Sequence, residues 1–284
     1  MRRLADILTV LLLCLAVCAQ AQTEDEEVQP DCPGMGTGTT VLDRGHIQWE
    51  SSFGYGYLGM HILSLPYTLF RFGLSPWAEL RLEYEGALYI ETDNPDSEFT
   101  PGEQTKLYIP SPLVIGTKVK IIGDELIGER KWIPRISAMA GIGLPLTKSE
   151  AERMPFSPSI DLLFEHDATS WLNIGYTVGA HWLEWAPAPD IFASLAFNFD
   201  VTDKLTLFVE SYNYFDCDND PALRGFGTAY DINLDFGFSY LVHPRVQLDA
   251  SASINCYQSE PTLSGPKNNA SVDLGVAWLL WYPR

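Results

Sequence analysis

"VQLDASASINCY", residues 246–257, alternates almost without error. Val246, Leu248, Ala250, Ala252 and Ile254 share one face, and Gln247, Asp249, Ser251, Ser253 and Asn255 share the other. A period of two is that of a β-strand. Half-buried strands occur in soluble sandwiches and in membrane barrels alike. The fold therefore turns on what the apolar face meets, a protein core or lipid.

The start of the chain narrows the choice. "MRR" is a short basic region, "ILTVLLLCLAV" an apolar run, and Ala19-Gln20-Ala21 a small-x-small cleavage pattern. Together they predict a signal peptide over 1–21. The apolar run is too short for a membrane-spanning helix, which needs about 20 apolar residues. Cys18 raises a lipoprotein variant, but Val17 is a poor residue before a lipidated cysteine. The formal net charge of −19 argues against nucleic acid as a partner, because phosphates demand a basic surface. Of five cysteines, Cys14 and Cys18 fall in the leader, leaving Cys32, Cys217 and Cys256. An odd number builds no disulfide framework, and no Cys/His spacing suits a metal. No cofactor motif is present either: "GTGTT" follows no strand, as a phosphate loop would.

Read for alternation, the chain yields about twelve strands: 46–57, 68–75, 77–90, 112–122, 132–146, 156–167, 171–183, 190–201, 204–215, 229–241, 246–257 and 269–282. Connections after the second, sixth, eighth and tenth are tight: "SPW", "ATS", "TDK" and "HPR". Those after odd-numbered strands are mostly longer and rich in Gly, Pro and acid, the longest spanning 91–111. "GDELIGERK" and "WAPAPD" break the parity. Short turns alternating with long loops characterise bacterial outer-membrane barrels. A Greek-key sandwich has no reason to keep such parity.

The aromatics agree. Trp77, Trp132, Trp171, Trp182, Trp185, Trp278, Trp281 and Tyr282 fall near strand ends, where interfacial girdles sit. The expectation is an all-β protein, a single transmembrane antiparallel up-and-down barrel over 46–284 with short periplasmic turns and longer outer loops. Its apolar face meets outer-membrane lipid, and its last strand closes the ring against the first. The acidic tract within 22–45 reads as a flexible periplasmic segment, although "PGMGTG" is able to fold back into the barrel mouth.

Several motifs, in order, resemble a known family. "PGMGTGTTVLDRGHIQWESSFGY" contains a Pro-Gly turn, a Gly/Thr-rich linker and the "G-x-x-Q-x-E" opening of the first strand. "LFRFGLSPWAELRLEY" looks like a strand–turn–strand unit of the same family, and "TDKLTLFVESYNYF", "DFGFSYLVHPRVQLDASASIN" and the final "PR" follow its pattern. The family is the transporter-like bacterial outer-membrane barrel family labelled for the meta-pathway of phenol degradation. The resemblance implies uptake of aromatic or other small hydrophobic compounds and supplies no catalytic residue. Cys32 stands where the family commonly has arginine. The aromatic-rich C-terminal strand is similar to the signal that barrel-assembly machinery reads.

In this arrangement the lumen-lining candidates are Glu50, Arg71, Glu79, Arg81, Glu83, Lys118, Lys120, Arg135, Asp161, Glu165, His181, Glu210, Asp231, Asp235 and Asp249. The cations lie early in the chain and acids dominate from Asp161 onward. One reading is an asymmetric pore that would favour cations; the plainer one is a set of paired charges that braces the barrel. Cys217 and Cys256 fall at the outer ends of strands separated by one other, about 10 Å apart at the spacing of strands. A disulfide would need their loops to lean together. Function then divides three ways: a passive conduit for small, apolar or aromatic solutes; a structural or surface-interaction barrel with a blocked lumen; and, weakest, an outer-leaflet hydrolase. Among the histidines only His181, beside Glu184, has lumen parity near an outer strand end, and no Ser/His motif accompanies it.

Overall fold

A computed structural model of the chain describes residues 27–31, 34–57, 61–91, 105–128, 132–146, 156–182, 188–217, 230–258 and 270–283. The expected signal peptide, Cys32, Glu184 and Trp185 lie outside these residues.

Along the chain run β1 (Ile47–Tyr57), β2 (His61–Ser75), β3 (Ala78–Glu91), β4 (Thr105–Pro110), β5 (Leu113–Ile122), the single turn α1 (Asp124–Ile127), β6 (Arg135–Leu144), β7 (Ser157–Asp167), β8 (Leu172–His181), β9 (Asp190–Thr202), β10 (Leu205–Asp216), β11 (Tyr230–His243), β12 (Val246–Gln258) and β13 (Ala270–Trp281). Each strand pairs antiparallel with its neighbour, and β1 pairs with β13, Trp49 opposite Trp278 and Glu50 opposite Ala277. The ring is therefore closed. It is a transmembrane barrel of twelve staves plus one additional strand, β4.

The opening stretch resolves accordingly. In β12, Leu248 and Ile254 are exposed while Asp249 and Ser253 are buried. The same inversion holds around the ring, with Phe197, Val209, Phe236, Phe238 and Leu274 exposed. Gln48, Glu50, Arg71, Glu79 and Lys118 are 0% exposed. A soluble protein would not present such a continuous apolar surface and bury its charges; a membrane barrel does both. Trp77, Trp132, Trp171 and Trp281 stand exposed at the turn end, and Tyr55, Tyr57, Phe215 and Tyr257 at the loop end, forming the two aromatic belts.

Two departures from the expected strands have local causes. β2 begins at His61, expected in a loop, because a bulge around Pro66 breaks the alternation: register shifts between Leu65 and Thr68. Proline has no N–H to give the ladder. β4 lies within the expected long loop and pairs with the outer half of β3, Gly86 opposite Pro110, whereas β5 pairs with the inner half. Pro110 and Pro112 divide what would otherwise be one continuous strand.

Within the stretch expected to be a solvated periplasmic tail, the described residues lie against the barrel wall. Residues 27–31 and 34–45 touch inward-facing side chains of β1, β2, β3, β5, β6, β7 and β10. Only a segment inside the ring reaches strands on all of these sides. Its exit requires Gly45, at φ +84°, and Gly73, where a Cβ would overlap the Asp43 carbonyl oxygen. Backbone bonds Gly45 N–H to Gly73 O (2.8 Å) and Gly73 N–H to His46 O (2.9 Å) fix this crossing.

Gly73→Ala is expected to lower stability by about 1–3 kcal/mol through overpacking, read as a lower temperature for the heat-modifiable gel shift in detergent. Gly56→Ala, whose Cβ meets Ser271 at an ordinary 3.5 Å, is the control expected to change little.

Candidate functional site: the plugged lumen

Alternation on β2, β3 and β5 turns Arg71, Glu79, Arg81 and Lys118 inward near the turn end. Arg71 and Arg81 are direct cross-strand partners, as are Glu79 and Lys118. Two opposed arginines in a dry interior need carboxylates between them. Glu79 provides one, accepting from Arg71 Nε at 2.9 Å and Nη2 at 2.8 Å and from Arg81 Nη1 at 3.1 Å. Glu50 accepts from Arg71 Nη1 at 3.2 Å, and Glu83 from Arg81 Nε at 3.0 Å. The remaining carboxylate comes from the plug: Asp31 pairs with Arg81, with Arg71 at 3.5 Å and with Lys118 Nζ at 2.6 Å.

The plug backbone completes the set. Lys118 donates to Gly38 O (2.9 Å) and Thr40 O (3.2 Å), and Arg71 to Gln29 O and Thr40 O (3.0 Å). In the reverse direction Gln29 N–H donates to Gln48 (2.9 Å), Asp31 N–H to Glu50 (3.0 Å) and Leu42 N–H to Glu79 (2.8 Å). Ser137 donates to Thr39 O at 2.6 Å, and the Thr39 hydroxyl to Glu165. Burial pushes the Asp31 carboxyl up, but Arg71, Lys118 and Arg81 outweigh it and hold the group well below the usual carboxylate range. A group shifted this way contributes stability at every pH above its unfolded value and loses it only as pH falls through the lower native one.

Across the lumen the hold is lighter. Glu210 on β10 accepts the Met35 and Gly36 N–H groups, both at 2.7 Å. Beside it, between the Gly-rich turn and the β7–β12 wall, lies a cavity of about 200 Å³ lined in part by Thr37, Gly38, Glu165, Thr177, Ser194 and Glu210.

The other candidates divide. Lys120 and Arg135 lie at the turn-end rim, paired with Glu125 at 3.8 Å and with Asp167, Asp124 (3.3 Å) and Glu165 (3.5 Å). His181 bonds Asp161 at 2.8 Å and stacks on Phe192. Asp231 accepts the Tyr214 N–H at 3.0 Å, while Asp235 and Asp249 are buried. Cys217 and Cys256 are exposed and free, and the bridge considered for them is not formed; β11 separates their strands. Among the described residues no His/Cys/Asp/Glu group is arranged to hold a metal.

Alternation did not flag Asp31, which precedes the strands, or the neutral Gln48 and Ser137. The available signal was "QPDCPGMGTG": an acid between prolines followed by a glycine run, directly before the first strand.

This geometry defines a class, a closed outer-membrane-type barrel whose lumen is occupied by its own N-terminal segment. Solved structures share the fold. The NanC porin superposes with a TM-score of 0.56 at 12% identity, covering 82% of this chain and 100% of that one. The COG4313 outer membrane channel from Pseudomonas putida F1 gives 0.57 at 10%, covering 91% and 99%. The KdgM porin in complex with disordered oligogalacturonate gives 0.50 at 8%, covering 81% and 98%. No curated protein matches the sequence. The family model described as "Putative MetA-pathway of phenol degradation" matches residues 31–265, and the chain belongs to that family.

Asp31→Ala removes the carboxylate paired with Lys118 and one of those shared by Arg71 and Arg81, and truncating one partner of such a network costs about 3–5 kcal/mol. The expected outcome is a lower unfolding temperature and new protease cleavage within 34–45. Adding Lys118→Met should recover part of the loss, as a double-mutant cycle would measure. Because Asp31 stays ionised, the wild-type cleavage pattern should not change between about pH 8 and about pH 5.

Proposed function

We propose that the protein is a gated conduit of the bacterial outer membrane for small apolar or aromatic molecules, with the N-terminal segment as the gate. The observation that carries this is the way the plug is held. Polar, non-covalent bonds fix it, dense on the β2–β5 side and sparse at β10, where a cavity already flanks it. Family membership and the channel neighbours support the transport reading. Apolar solutes are the class that the family label favours. Side chains within the barrel and lipid around it would divide the path into a polar lumen and an apolar shell.

The plug equally supports the second reading, a structural barrel that stays closed. A tether separates the two. At Gly36 a Cβ would lie 3.6 Å from the Ser194 Cβ, within the span of a disulfide. With Cys32, Cys217 and Cys256 replaced by serine, Gly36→Cys with Ser194→Cys locks the turn to β9 when oxidised. Liposomes carrying it are expected to swell in small neutral solutes after reduction and not before. Equal rates in both states would remove the gate, and no swelling in either would favour the closed structural barrel.

A further inference from the structure

The two sides of the lumen differ in sign. β2, β3 and β5 contribute Arg71, Arg81 and Lys118, all committed to the plug anchor, whereas β7 through β13 contain no lysine or arginine at any position. Their inward positions carry Asp161, Glu210, Asp231, Asp235, Asp249 and Asp273 instead. Glu210 and Asp235 are direct cross-strand partners, 1% and 3% exposed. Like charges so placed repel. Glu210 is offset by the two plug amides, but Asp235 Oδ1 has no hydrogen-bond partner, and neither has Asp249 Oδ2, on a residue 8% exposed. Buried carboxylate oxygens of this kind take up either a proton or a positive partner, and no described lysine or arginine on these strands supplies the latter.

Aromatic rings stand beside them. Tyr214 is the cross-strand partner of Asp231, and Tyr212 that of Asn233, two residues from Asp235. The Tyr214 ring lies 5.2 Å from Phe192 and 6.3 Å from Tyr212, edge-on to the latter. His181 stacks on the other end of this group, 5.7 Å from Phe192, with its Nε2 held by Asp161. Carboxylates combined with ring faces form the chemistry that recognises an ammonium group on an apolar frame. A neutral aromatic gains only the rings, and an anion meets repulsion from several sides.

We propose that the loop-side half of the lumen, on β9–β11, binds small organic ammonium compounds, the charge seated at Asp235 with the frame against Tyr212, and a second seat about 13 Å along the strand formed by Asp231 with Tyr214 and Phe192. This rests on the conduit reading for passage only, since binding needs no open gate, and it narrows the solute class to amines with an aromatic or apolar body.

Three probes of one shape test it: benzylammonium, benzyl alcohol and benzoate, titrated calorimetrically into the detergent-purified mature chain. Benzylammonium is expected to bind at least about tenfold more tightly than either isostere, the ratio that one charge-assisted contact gives. Asp235→Asn, which relieves the repulsion with Glu210, should fold and lose that preference at its seat; Asp231→Asn is the second variant, with folding checked by heat-modifiable migration. Phe192→Leu should weaken benzylammonium without reversing the order. Equal affinity for the three probes, no benzylammonium binding, or an undiminished preference in both aspartate variants would overturn the site. Benzylammonium binding in a barrel that never swells liposomes would overturn the conduit and leave the site standing.

Discussion

Asp31 is shared among Arg71, Arg81 and Lys118, and much of the interior follows from that one carboxylate. The barrel places two arginines opposite each other and a lysine beside them, where water has little access. Glu50, Glu79 and Glu83 balance part of this charge. The last negative group, and several carbonyl acceptors, come from a segment that contributes no strand. The plug is thus part of the electrostatic closure of the barrel rather than an accessory laid into a finished pore.

The fold was largely legible because a membrane barrel writes its period openly. Each stave alternates, one face apolar, and the tight turns carry recognisable residues. The ring order, the β1–β13 closure and eleven of the twelve expected strands agree with the structure to within a few residues. What alternation could not carry was the effect of proline. Pro66 shifts the register of β2, and Pro110 with Pro112 splits β4 from β5, so the first half of β2 and the whole of β4 read as loop when every second residue is counted.

The site was legible in a different measure. Strand parity placed Glu50, Arg71, Glu79, Arg81 and Lys118 inside, and the structure brings them together. It could not show what they hold, because the partner lies in a stretch without periodicity, whose acidic composition resembles a solvated tail. Composition reports average preference for water; it does not register that one aspartate faces three cations. Lys120 and Arg135 share the parity of the cluster but reach the rim, where acids of the neighbouring turns take them.

The position of the plug in the chain has a consequence for biogenesis. An object enclosed by a sealed cylinder must be in place when the seam is made, or be threaded in afterwards through an end. Most of its polar partners belong to β1–β7; the later contacts are Glu210 on β10 and Val28, whose N–H donates to Pro244 O at 2.7 Å and whose side chain packs on Ala277 and Leu279 of β13. The plug is therefore able to settle on the first-made half of the sheet while the cylinder is still open. In that order of events it acts as a mandrel, gathering the inward charges of the early staves before β13 meets β1.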